Sequence, residues 1–188
     1  MAEGAEVRDA EPRNAVLDMH IRYACCMSGD AAFIVRRATE ADAGDLGRLG
    51  GLLLRAHYAF DSERFIAPGS DPESGYEWFL RGQLNDGDAV VLVAEQSGAV
   101  IGYVFAALEP ISWKELRDAC GFIHDLVVDE AGRRGGVATA LMEAAMQWLR
   151  SRGAPRVVLG TAERNAAAQR MFEKLGFRRT MVEMTREL

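Results

Sequence analysis

The sequence predicts an α/β domain, a mixed sheet with helices on its faces. Three observations carry that reading. Two β-branched, apolar-rich runs, 89–95 and 99–108, flank Gln96-Ser97-Gly98 in the pattern of a β-hairpin. Later in the chain, two amphipathic helical stretches alternate with a short strand signal. The whole order reads β-α-α-β-β-β-α-β-α-β without an internal repeat, and 188 residues suit one domain.

Taken in order, residues 1–31 are mixed, charged at their start and without a sustained period. They are expected to be an extension, poorly packed or lying over the surface, with the domain at 32–188. Phe33–Ala38 suits a short strand. Thr39-Glu-Ala-Asp42 then resembles a helix start with a capping box, Asp standing for the usual Glu. Leu46, Leu49, Leu53 and Ala56 follow at helical spacing, although Gly44, Gly47, Gly50 and Gly51 weaken that helix. His57 to Ser70 reads as an aromatic loop. Asp71-Pro72-Glu73 opens a second helix with Tyr76, Phe79, Leu80 and Leu84 on one face.

After the hairpin, Pro110 ends the second run, Ile111–Asp118 is a charged connection, and Cys120–Asp129 is a strand. Val137, Leu141, Ala144, Ala145 and Trp148 define an amphipathic helix that closes at Gly153. Arg156–Gly160 is a strand. Asn165–Leu175 is a helix whose Gly176 suits a left-handed C-terminal position. Phe177–Glu187 is expected to be the last strand.

Composition narrows the function. With 28 acidic against 22 basic residues, the net charge is −6, which argues against a nucleic-acid surface. It permits a cationic substrate without requiring one. No apolar run approaches the roughly 20 residues of a membrane-spanning helix. The N-terminus lacks the basic-then-apolar pattern of a signal peptide. The expected location is therefore cytoplasmic, with no membrane partner. Cys25, Cys26 and Cys120 show no CxxC spacing, and His20, His57 and His124 are scattered. His57 and Asp61 stand at i,i+4, but two donors do not make a metal site, so no metal is expected.

The chemistry is concentrated at His124-Asp-Leu-Val-Val-Asp-Glu-Ala-Gly-Arg-Arg-Gly-Gly-Val-Ala-Thr139. Here a strand passes through a turn directly into a helix. Glycine lets a ligand approach the backbone, and the first helical N–H groups are unpaired donors at the positive end of the dipole. With Arg133 and Arg134 beside them, these groups form a cradle for an anion such as a pyrophosphate. The blander reading is a tight turn and nothing more. Gly136 is followed by Val-Ala, so the stretch is not a P-loop, and no GxGxxG is present.

A second element favours the cradle. Arg133-Arg-Gly-Gly136-Val-Ala138 resembles the [Q/R]-x-x-G-x-[G/A] acyl-CoA signature of the GNAT N-acetyltransferase family. Asn165-Ala-Ala-Ala168-Gln-Arg-Met171-Phe-Glu-Lys-Leu-Gly-Phe177 resembles that family's N-x-x-A-x-x-[LF]-Y-x-K-x-G-F element, except that Phe172 replaces the tyrosine. The resemblance extends over roughly residues 33–188. It implies a GNAT fold: a mostly antiparallel twisted sheet of six or seven strands, about four helices, and a gap where two strands splay. It implies acetyl-CoA as co-substrate, with Leu126, Val127 and Val128 offering backbone groups to pantetheine and thioester, and the Val128 N–H stabilising the oxyanion. Arg133, Arg134, Gly135, Gly136, Val137, Ala138 and Thr139 should hold the pyrophosphate. Asn165, Ala168 and Phe172 should line the pantetheine side.

The acceptor would be an amine, on a small molecule or a peptide. A primary amine with a pKa near 10.4 is almost wholly protonated at pH 7, so a base nearby helps. The family often has glutamate where His124 stands, which makes His124 the leading candidate; a hydrogen-bonded structural histidine is the other reading. Asp125 would face the opposite side of a regular strand and is expected to be structural. Phenylalanine at 172 has no proton to give the departing sulfur, which should slow the reaction rather than forbid it. The acceptor pocket is expected from His57, Tyr58, Asp61, Tyr76 and Trp113, together with neighbours such as Phe60, Phe65 and Glu109. An acyl-CoA-binding module without turnover, or an enzyme using another acyl group or a protein amine, are the alternatives. Domains of this family frequently pair, so the resemblance admits a homodimer.

Overall fold

The computed structural model describes residues 23–25, as backbone alone, and 32–188. Residues 1–22 and 26–31 of the expected extension lie outside the described residues. One sheet holds β1 (Tyr23–Cys25), β2 (Phe33–Arg37), β3 (Ala89–Gln96), β4 (Ala99–Glu109), β5 (Cys120–Val128) and β6 (Val157–Leu159), side by side in chain order. All neighbours are antiparallel except β5 and β6, which run parallel.

The strand count agrees with expectation, but the set differs at both ends. β1 comes from within the expected extension and pairs Tyr23 with Val35 and Cys25 with Phe33. Phe177–Glu187, by contrast, forms no strand. Phe177 still packs edge-on to Phe172, with ring centroids 5.9 Å apart. Beyond it the apolar residues have no sheet to lie on, and Met181, Val182 and Met184 are exposed. The segment is tethered instead by hydrogen bonds and ion pairs, Arg179 to Gln169 and Glu173, and Arg64 to Glu183. A strand needs a neighbour's backbone as well as its own pattern, and the three-residue β6 offers little.

The helices divide between the two faces. α1 (Ala43–Phe60) and α2 (Pro72–Gln83) bury Leu46, Leu49 and Leu80 against Val91, Val93, Tyr103 and Phe105. α3 (Val137–Ser151) and α4 (Ala166–Lys174) bury Leu141, Trp148, Leu149 and Phe172 against Val90, Leu92, Val104 and Ile123. Successive residues of β3 thus serve opposite cores, which is why that strand reads as one continuous apolar run.

The entry to α1 is the expected capping box: the Thr39 N–H and hydroxyl both donate to Asp42, at 2.7 and 3.0 Å. Arg36 donates two further bonds of 2.8 Å to the same buried carboxylate and holds its pKa below the ordinary value. α1 runs on through His57 to Phe60, so the first residues of the expected loop are helical. Its glycines have a packing reason. A Cβ on Gly50 would stand 2.3 Å from the Tyr76 ring, and one on Gly47 would stand 2.7 Å from the Glu73 carbonyl oxygen. Small residues there let α1 and α2 approach closely, at a cost of about 1 kcal/mol each in helix propensity.

Candidate functional site

β5 carries an irregularity that decides where its side chains go. Phe105 pairs with Asp125, but the next β4 residue, Ala106, pairs with Ile123. His124 is therefore the extra residue of a β-bulge. The bulge breaks the alternation, so His124 and Asp125 do not face opposite sides, as a regular strand would require. His124 stacks on Phe105 at 4.8 Å, and Asp125 accepts the Tyr103 hydroxyl at 3.0 Å; Phe105 and Tyr103 both belong to the face under α1 and α2.

β6 ends at Leu159, opposite Ile123, so from His124 to Val128 the far edge of β5 has no strand beside it among the described residues. That is the gap. On the other edge, Asp129 donates its N–H to the Ile101 carbonyl at 2.9 Å, and the pairs 102–128, 103–127 and 104–126 continue in that register. Amide direction alternates along an antiparallel pair, so the N–H groups of Leu126 and Val128 turn away from β4 and toward the gap.

Past β5 the chain makes a 3₁₀ turn at Glu130–Gly132, capped by the Asp129 side chain accepting the Gly132 N–H at 3.1 Å. Arg134 (φ 66°) and Gly136 (φ 78°) then adopt left-handed conformations on either side of Gly135. Gly136 is the N-cap of α3 and brings no side-chain bond, which leaves the first amides of that helix free of a capping side chain. Arg133 and Arg134 are exposed and have no carboxylate partner among the described residues. Uncapped amides, a helix dipole and two exposed cations converge on one loop.

Four groups on the α1/α2 side are electrically unusual. Burial lowers the pKa of His124 below 6.5, against the upward pull of Glu109, whose Oε1 lies 3.1 Å from Nε2. Asp125 is half-buried as a residue, but its carboxylate is desolvated, and burial pushes its pKa up to about 6 against the lowering by the Tyr103 hydroxyl. Burial and the nearby Asp125 also raise Tyr76 and Tyr103.

The expected acceptor residues separate on this ground. Tyr76 and His57 lie within electrostatic reach of Asp125. His57 Nδ1 is 2.9 Å from the Leu53 carbonyl oxygen, and its ring meets Phe65 edge-on at 4.9 Å. Asp61 accepts the N–H groups of Glu63 and Arg64 and so shapes the loop. Tyr58 sits in the last turn of α1, and Trp113 stands 80% exposed on the β4–β5 connection. Asn165 is the N-cap of α4, accepting the Ala168 N–H at 3.1 Å, and Ala168 packs beside the buried Phe172 on the α3/α4 core. Asp125 was expected to be structural, and the contact of Glu109 with His124 has no local signal in the sequence. A short helix-to-strand spacing cannot announce a bulge or the register of a long connection.

Residues 54–177 match the Acetyltransferase (GNAT) family. An uncharacterized N-acetyltransferase of Bacillus subtilis is 27% identical over 146 residues, spanning 76% of this chain and 88% of that protein. A mycothiol acetyltransferase of Amycolatopsis mediterranei is 35% identical over 88 residues, 46% of this chain and 29% of that longer protein. Among solved structures, an aminoglycoside N-acetyltransferase in complex with CoA superposes with a TM-score of 0.66 at 17% identity, covering 87% of this chain and 99% of that one. Among the described residues no helix is long and apolar enough to cross a membrane.

Proposed function

The chain belongs to the acetyltransferase (GNAT) family and is an acyltransferase; from that premise we propose that its domain, residues 32–188, transfers the acetyl group of acetyl-CoA directly to a primary amine. One observation carries the reading: the open edge of β5 turns the Leu126 and Val128 amides into a gap that leads to the uncapped start of α3.

In this proposal Arg133 to Thr139 hold the pyrophosphate, and the open edge of β5 takes the pantetheine arm as an added strand would be taken. The thioester oxygen then lies at the Val128 N–H, which stabilises the charge that develops on it. The amine approaches from the α1/α2 face, where His124 and Asp125 stand. Glu109 accepts from the His124 Nε2–H, which fixes the tautomer with Nδ1 as proton acceptor. A histidine held below 6.5 is neutral at pH 7 and ready for that task. The amine nitrogen bonds to the carbonyl carbon, its proton passes to Nδ1, and the tetrahedral intermediate collapses by breaking the C–S bond. The sulfur leaves as thiolate, since Phe172 has no proton to offer and lies 8% exposed in the core.

Release of CoA thiol from acetyl-CoA, measured with a panel of amines, amino acids and peptides, tests the proposal. Amine-dependent release is expected. Tight acetyl-CoA binding without turnover on any amine would favour an acyl-CoA-binding module, the reading that Phe172 supports.

A further inference from the structure

The connection between β4 and β5 folds back on itself: Ser112 and Arg117 exchange both backbone hydrogen bonds, at 2.8 and 3.0 Å. That sets the Arg117 side chain at the foot of β5, where it is only 16% exposed although it carries a full charge. Three contacts fix it there. Nε donates to Glu115 at 2.9 Å, Nη1 donates to the Cys120 sulfur at 2.7 Å, and the guanidinium lies 5.7 Å from the centre of the Phe122 ring. A planar fork held at two nitrogens keeps the third in one place. That third nitrogen, Nη2, faces Glu109 Oε2 at 3.9 Å, within ion-pair range.

Glu109 depends on such an anchor. In the sheet register it stands opposite Cys120, four residues before His124. Four strand residues span roughly 13 Å, so both side chains must extend along the face to bring Oε1 within 3.1 Å of Nε2. Glu109 is half-buried, so water competes for its carboxylate, and an extended glutamate gives up the freedom of its side-chain torsions. The carboxylate divides its oxygens, Oε1 to the imidazole and Oε2 to the guanidinium. Phe122 touches both ends of this chain, since its ring also lies 4.7 Å from that of His124. Guanidinium, carboxylate and imidazole thus form one connected unit.

We propose that Arg117 is a positioning residue: it holds the Glu109 carboxylate against His124 Nε2, and so selects the imidazole tautomer whose Nδ1 takes the proton from the amine. This deepens the acetyltransferase reading above and rests on it. An imidazole without a fixed partner carries its proton on either nitrogen, and a ring protonated on Nδ1 turns its only basic nitrogen toward Glu109. The charges fit the same role. Glu109 favours the imidazolium and Arg117 opposes it, so the ring stays neutral between turnovers yet has a counter-ion when the proton arrives.

A double-mutant cycle tests this, on the full chain with acetyl-CoA and the panel amine that the native protein acetylates fastest. At pH 8 His124, whose pKa lies below 6.5, is neutral. Arg117→Gln should lower kcat about 10-fold, leave the KM for acetyl-CoA near its native value, and cost less than about 2-fold once Glu109→Gln is present. Equal losses in both backgrounds overturn the proposal, because Arg117 would then act by bracing the connection. Native kcat in Arg117→Gln overturns it as well. The nitrogen-15 spectrum of the imidazole gives a second readout that needs no turnover. Native His124 should carry its proton on Nε2, and Arg117→Gln should mix the two tautomers, as should Glu109→Gln. A native ring protonated on Nδ1 overturns the proposal even if the variants fail to fold, and so does a tautomer that Arg117→Gln leaves unchanged. If no amine is acetylated, the acetyltransferase reading falls, and the spectra still decide whether Arg117 sets the tautomer.

Discussion

Tyr103 donates its hydroxyl to Asp125 across 3.0 Å, between the two strands that carry the bulge. That bond favours the ionised carboxylate, yet burial outweighs it and lifts the pKa from 3.8 to about 6. Because the folded pKa lies above the unfolded one, the protonated form favours folding. The stability it contributes is complete below about pH 4 and is lost as pH rises through about 6. Asp125→Asn escapes that loss. In thermal denaturation, its stability relative to the native chain should grow by about 1–3 kcal/mol between pH 4 and pH 7.5. A difference that does not change with pH would mean that the carboxylate is solvated in the folded state.

His124 and Glu109 make a separable prediction. His124→Ala should lower kcat/KM about 10²-fold at pH 7, with recovery at high pH as free amine accumulates. Glu109 pulls the histidine pKa upward. Glu109→Gln should therefore move the acidic limb of the pH–rate profile to lower pH and reduce kcat, while leaving the KM for acetyl-CoA near its native value. A profile that stays in place in both variants would return His124 to a structural role.

The sequence made most of this fold legible, and where it did not, the reason is physical. The hairpin, the capping box at Thr39 and the helix from Val137 each depend on contacts within a few residues, and each stands as expected. The turn into the uncapped start of α3 was legible for the same reason: turn and helix start are contiguous. Three features depend on remote partners. The bulge at His124 exists only relative to β4, so the shared face of His124 and Asp125 could not be read from β5 alone. Glu109 meets His124 only once the β4–β5 connection has fixed their register. The residues after Phe177 have a strand's pattern but no neighbour to complete it.

The glycines of α1 offer a paired test of helix propensity against packing. A Cβ on Gly44 meets nothing within 4 Å, so Gly44→Ala should raise stability by about 0.5–1 kcal/mol. On Gly50 the same carbon would stand 2.3 Å from the Tyr76 ring, and the forced shift should cost about 1–3 kcal/mol, more than the propensity gained. Denaturant titration of both variants checks the contrast. If Gly50→Ala is as stable as Gly44→Ala, the two helices do not pack as closely as the Gly50–Tyr76 contact requires.

The cradle ahead of α3 can be tested without confusing ligand binding with backbone strain. Gly136 has φ 78°, so replacing it with any L-residue strains the turn as well as crowding the ligand. Gly135 has no such constraint: a Cβ there stands 3.7 Å from the nearest atom, the Gly132 carbonyl oxygen, which is ordinary contact. Gly135→Asp therefore adds a negative charge beside the free amides with little cost to the fold. If those amides and Arg133 hold the pyrophosphate, acetyl-CoA affinity in calorimetry should fall at least tenfold, with the melting temperature almost unchanged. Gly136→Ala should do the reverse in part, costing about 1 kcal/mol in stability while adding no repelling charge. Gly135→Asp with native affinity would move the pyrophosphate off this loop. Raising the salt concentration in the same titration adds a further check: affinity of the native chain should weaken as the two exposed arginines are screened, and Arg133→Gln should flatten that dependence.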